Sequence, residues 1–151
     1  MKNLFLITLI TAISLTTTNC SSDDGDSRPD NLSITGGVWK LSTFSIDGKD
    51  STSTLGACEL LETYSFTEDG KFVNKYYEKD ATSGDCKLVS TLNGKWVTDG
   101  TAGTTPRFKL TFDDGTTPSI TCIVGISYLT YAYDVDTSTG KSSYSYSFQK
   151  Q

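Results

Sequence analysis

From residue 36 onward, apolar and aromatic residues alternate with polar ones in short segments punctuated by Gly, Asp and Asn. That is the period of strands with one buried face, at the turn spacing of a sandwich or barrel rather than of βαβ units. Eight segments follow. Val38–Ile46 comes first, with Trp39 and Leu41 on one face and Lys40 and Ser42 on the other. Residues 60–67 carry Leu60, Tyr64 and Phe66 on one side, and Glu68-Asp69-Gly70-Lys71 turns tightly into a third strand that runs to about residue 78. Residues 87–98 hold the hairpin signal Asn93-Gly94. A two-residue turn there would put Leu92 and Trp96 on opposite faces, whereas one strand keeps Leu88, Leu92 and Trp96 together, so the pattern predicts a single strand kinked at Gly94. Residues 107–113 turn Phe108, Leu110 and Phe112 inward, residues 119–124 and 128–134 come next, and residues 141–149 set Tyr144, Tyr146 and Phe148 against Ser143, Ser145 and Ser147.

Eight sequential antiparallel strands with short links predict an all-β fold, a small up-and-down barrel whose closure removes exposed edges. Its outer face would be serine, threonine and lysine, which rejects a membrane-spanning barrel. The inward set Tyr64, Phe66, Trp96, Phe108, Phe112, Tyr144, Tyr146 and Phe148 suits two outcomes. These rings either line an apolar pocket in which phenolic hydroxyls orient a ligand, or they simply fill an interior that side chains alone can occupy.

Ahead of the barrel, Lys2 precedes an apolar run over residues 4–15 that is too short to span a bilayer and fits a secretory signal, taken as residues 1–19. Thr17-Thr18-Asn19-Cys20 resembles a bacterial lipoprotein lipobox, making Cys20 the expected lipid attachment point; the alternative is a disulfide partner. Residues 20–35 form an acidic, disordered spacer, with Asp23, Asp24, Asp26 and Asp30 against Arg28. Ser21-Ser22-Asp23-Asp24 resembles the acidic export signal of surface lipoproteins in the Bacteroidota. The expected location is therefore the outer membrane, lipid-anchored and facing the cell exterior, with a plain solvated linker as the alternative.

Composition narrows the chemistry. A net charge of −5 without a basic stretch excludes nucleic acid as a partner. The absence of histidine removes the usual general base and the commonest transition-metal ligand, so neither an enzyme nor a cofactor is expected. Asp134-Val135-Asp136 opens like a calcium loop, but Gly140 falls one place late and Ser145 stands where a bidentate Glu is needed, so a plain turn and no metal site are expected. Of the cysteines, Cys58 and Cys86 lie in loop-like company and are paired, while Cys122 shares parity with Ile120 and Val124 and is a buried free thiol. A monomer is expected.

Gly37-Val38-Trp39 resembles the G-x-W signature at the first strand of lipocalins. Together with Tyr64-Ser65-Phe66, Asp69-Gly70-Lys71-Phe72, a cysteine before the fourth strand and a second G-x-W at Gly94-Lys95-Trp96, residues 36–151 resemble the lipocalin-like domain of Bacteroidota lipoproteins. The resemblance implies a barrel closed at one end by Trp39 and a cavity for a small apolar or amphipathic ligand; it also implies an arginine near the last strand over that ring, where this chain departs from the family and has only Lys150 nearby. The alternative function is a surface interaction or inhibitor module on a filled barrel, motivated by the polar loop of residues 47–57.

Overall fold

The computed structural model describes residues 33–138 and 140–151; the expected leader, Cys20 and the spacer up to residue 32 lie outside the described residues. Nine strands succeed one another: β1 (Val38–Ile46), β2 (Lys49–Asp50), β3 (Thr63–Phe66), β4 (Lys71–Lys79), β5 (Cys86–Ala102), β6 (Thr105–Phe112), β7 (Ile120–Val124), β8 (Tyr128–Thr137) and β9 (Gly140–Lys150). From β3 to β9 each strand pairs antiparallel with the next. β1 pairs with β3 on one side and β9 on the other, which closes the sheet. Short β2 folds back on the end of β1 and stays outside the circuit, leaving the closed eight-stranded barrel that the alternation predicts. Closure leaves no long edge strand open to pairing with another chain.

Three local details depart from simple alternation. Between Leu41 and Thr43 the register of β1 against β9 slips by one, and the bulged Ser42 donates its hydroxyl to the Ser147 carbonyl at 2.9 Å. That extra residue switches parity, so Phe44 is buried on the same side as Leu41. Residues 60–62 are not strand. A 3-10 turn, Glu59–Leu61, precedes β3, because the Cys58–Cys86 disulfide pins this segment to the tip of the β4–β5 hairpin. The expected kink at Gly94 is also absent. β5 runs in register through Asn93, Gly94 and Lys95, and its irregularities lie opposite Tyr76/Tyr77 and between Thr98 and Thr101.

Gly94 is needed for space rather than for bending. A Cβ there would stand 2.4 Å from the Thr111 carbonyl oxygen and 2.5 Å from the Phe72 ring. Phe72 covers this glycine and meets Phe112 edge-on at 5.1 Å, so the ring has taken the volume a side chain would need. Gly94→Ala should cost about 1–3 kcal/mol through overpacking. The check is the urea midpoint; an unchanged value would mean that the Phe72 ring and the Thr111 backbone both give way freely.

The core fills one end of the barrel. Trp39, Phe72, Leu110, Cys122, Val124, Leu129 and Phe148 are almost wholly buried, with Tyr64, Phe66, Phe108 and Phe112 packed among them. Packing reaches back to Ile34, whose carbonyl accepts the Trp39 Nε1–H at 2.8 Å. Lys150 Nζ lies 5.4 Å from the centre of the Trp39 ring and donates to the Thr35 carbonyl at 3.0 Å, so a lysine stands over the tryptophan where the resemblance implies an arginine. Trp96, half-buried, donates Nε1–H to the Thr67 carbonyl at 3.1 Å and so holds the β3–β4 turn. Cys122 is a buried free thiol, and burial pushes it up to about 12, which keeps it protonated and inert.

Candidate functional site

The two ends of the barrel differ because its strands differ in length. β6 stops at Phe112 opposite Gly94 and β7 starts at Ile120 opposite Leu110. The β4–β5 ladder, by contrast, continues to Lys79 and Cys86, and the β8–β9 ladder to Thr137 and Gly140. The wall is therefore low at β6–β7 and tall on both flanks. Between the tall flanks, above the packed half, is a cup of about 340 Å³.

Leu41, Leu55 and Leu92 give the cup its aliphatic surface, and Tyr131, Tyr133 and Tyr146 its aromatic wall. Tyr131 and Tyr146 are direct neighbours across β8–β9 and stack at 5.2 Å with 20° between planes; Tyr133 stacks on Tyr146 at 6.1 Å and on Tyr144 at 5.7 Å. Side chains on alternate positions of adjacent strands fall into such a ladder without further constraint. Leu55 reaches the cup from the segment of residues 47–57, which is not the free loop expected. Lys49–Asp50 pairs with β1, Thr52–Thr54 is a 3-10 turn, and the Phe44 N–H donates to Thr52 Oγ1 at 2.9 Å.

The polar side of the cup is acidic. Glu62 is 9% exposed, and one of its oxygens accepts the Asn74 Nδ2–H at 2.9 Å, while the other has no hydrogen-bond partner among the described residues. Glu59 is held at both oxygens, by the Gly56 N–H at 2.6 Å and the Tyr76 hydroxyl at 3.4 Å. Burial raises the Glu62 carboxyl above its ordinary value; the Asn74 hydrogen bond offsets part of this and the nearby charge of Glu59 adds to it. A carboxyl raised on folding gives its stability below its unfolded value and withdraws it as pH climbs through the raised one. Holding Glu62 as a carboxylate is thus a cost to the fold. Burial likewise raises the hydroxyls of Tyr64, Tyr131 and Tyr146 far above their ordinary value, with the Glu62 charge contributing to each. A wider recess of about 550 Å³ beside the disulfide shares Glu59 and Tyr76 with the cup.

Of the aromatic residues singled out from the alternation, only Tyr146 lines the cup; Tyr144 stacks at its rim against Tyr133 and Phe44. Tyr64, Phe66, Phe108, Phe112 and Phe148 fill the packed half, and Trp96 packs against it. Alternation missed Glu59, Glu62, Asn74, Tyr76, Tyr131 and Tyr133. One signal did exist in the sequence: Glu62 continues the inward parity of Tyr64 and Phe66, and Asn74 that of Phe72, so polar residues fall at core positions.

A closed antiparallel meander, packed at one end around a tryptophan under a basic side chain and hollow at the other, defines a class of small barrels built around an open cup. Residues 34–150 match the family model described as a lipocalin-like domain, and the chain belongs to that family. No curated protein and no solved structure matches the chain.

Proposed function

We propose that the protein is a lipid-anchored outer-membrane lipoprotein, displayed on the cell surface, whose barrel binds one small amphipathic molecule and performs no chemistry on it. The cup carries the binding part: it joins an apolar floor to a few convergent polar groups, the usual composition of a small-molecule site. Against an enzymatic role stands the sequence, which has no histidine to serve as a base. The anchor is supported by the apolar run of residues 4–15 and the cysteine that follows it. Acyl chains on Cys20 would contribute roughly 0.8 kcal/mol per buried methylene, an affinity that an acidic domain lacks by itself. The described chain starts at the packed end, beside Trp39, away from the cup.

Two measurements test this. Metabolic labelling with a fatty-acid analogue should mark the wild type and not Cys20→Ser, which should move to the soluble fraction; an unlabelled wild type would remove the anchor. Mass spectrometry of the protein extracted natively from membranes should find a small amphipathic species bound near one to one. A protein that carries nothing and takes up no amphiphile would refute the binding role. The segment of residues 47–57 is tied to the barrel rather than projecting, so it gives the interaction-module alternative no support.

A further inference from the structure

The charges of the cup specify more than an amphiphile. Resting on the binding role above, we propose that its ligand is an organic cation, a small amine or quaternary ammonium with an apolar or aromatic body. The charged side chains that line the cup are Glu59 and Glu62, and neither lysine nor arginine is among its lining residues. Glu62 is nine-tenths buried, with one oxygen on Asn74 and the other unpartnered among the described residues. Its free oxygen keeps access to solvent through the cup, and a cation there would offset the cost of holding a carboxylate in so buried a position. Asn74 fixes the carboxylate in place, so the site does not need reorganising when a cation arrives.

The opposite wall fits the same guest. Tyr131, Tyr133 and Tyr146 present stacked rings and hydroxyl oxygens, and aromatic faces attract ammonium groups through their quadrupole. Leu41, Leu55 and Leu92 would receive the apolar body. Turns and strand ends around the mouth carry Asp47, Asp80, Asp85, Asp114, Asp134 and Asp136 against Lys49, Lys79, Lys87 and Lys141, and Lys87 is already paired with Asp80 at 2.9 Å. The surplus is negative, which concentrates cations at the mouth. A fatty acid would instead bring its carboxylate against Glu59 and Glu62 with no cation in the lining to meet it.

Titration calorimetry with three probes of the same ring and similar chain reads this directly: 2-phenylethylammonium, 3-phenylpropan-1-ol and 3-phenylpropanoate. The ammonium should bind at least about tenfold more tightly than the carboxylate, the strength of one charge-assisted contact. Glu62→Gln keeps the Asn74 bond and removes the charge. It should lower ammonium affinity about tenfold, lower that of the alcohol by much less, and melt no lower than wild type at pH 7. Equal binding of the three probes, or an ammonium preference that survives both Glu62→Gln and Glu59→Gln, would overturn the cation assignment and leave the binding role standing. Failure of all three to bind would overturn the cation assignment, and the binding role falls with it where native extraction also finds nothing bound.

Discussion

Trp39→Ala should lower the stability of the barrel by about 3–5 kcal/mol, the range for deleting a fully buried large aromatic side chain. The ring has no exposed surface, so its loss leaves a cavity under the packed end rather than a dent on the outside. Two further contacts go with it. The Ile34 carbonyl loses the Nε1–H that it accepts at 2.8 Å, and Lys150 loses the ring beneath its ammonium. Residues 33–36 would then be held by what remains of the Ile34 packing and by the Lys150 hydrogen bonds to the Ser33 and Thr35 carbonyls. Trp39→Phe separates the contributions, because it keeps most of the burial and removes only the donor, and should cost about 1–3 kcal/mol. Urea unfolding measures both. A Trp39→Ala loss below about 1 kcal/mol would show that the packed end collapses around the gap.

Replacing Cys58 and Cys86 together by alanine should cost about 3–4 kcal/mol, the chain-entropy value for a loop of this size. The sequence separation is 28 residues, and the bridge joins the Glu59–Leu61 turn to the tip of the β4–β5 hairpin. The structural consequence concentrates at the cup, since Glu59 and Glu62 follow Cys58 directly and Tyr76 lies in the hairpin. The double variant leaves no orphaned thiol at this corner to form other disulfides, and Cys122 is buried. The expected result is a lower urea midpoint with a somewhat steeper dependence on denaturant, because the unfolded chain without the bridge exposes more surface. A midpoint equal to that of the oxidised protein would mean that the strands alone fix this corner.

Much of this architecture was legible because a strand with one buried face must alternate. Parity alone distinguished a continuous β5 from a hairpin at Asn93-Gly94, and it also assigned Phe108, Leu110 and Phe112 to the interior. The pairing of Cys58 with Cys86 followed from where the loops fall. Two errors share one cause. The kink assigned to Gly94 and the strand assigned to residues 60–62 depended on what lies opposite: the Phe72 ring in the first case, the disulfide in the second. Local pattern does not report the neighbour. The bulge at Ser42 was hidden likewise, since its hydroxyl partner, Ser147, is more than a hundred residues away.

The sequence by itself determined that this chain is an all-β barrel with a polar outside, an aromatic inside and one internal bridge. Only the tertiary structure decided which inward residues line the cup. Alternation states on which face a side chain lies but not how far along the barrel axis, and that height is set by the register of every pairing around the closed sheet. Thus Tyr64 and Tyr131, alike in parity, lie under and at the cup, and Phe148 is buried while Tyr146 on the same face lines the opening. Glu62 follows the same rule. Its inward position was written in the sequence, and its place beside three tyrosines at an open mouth came from closure.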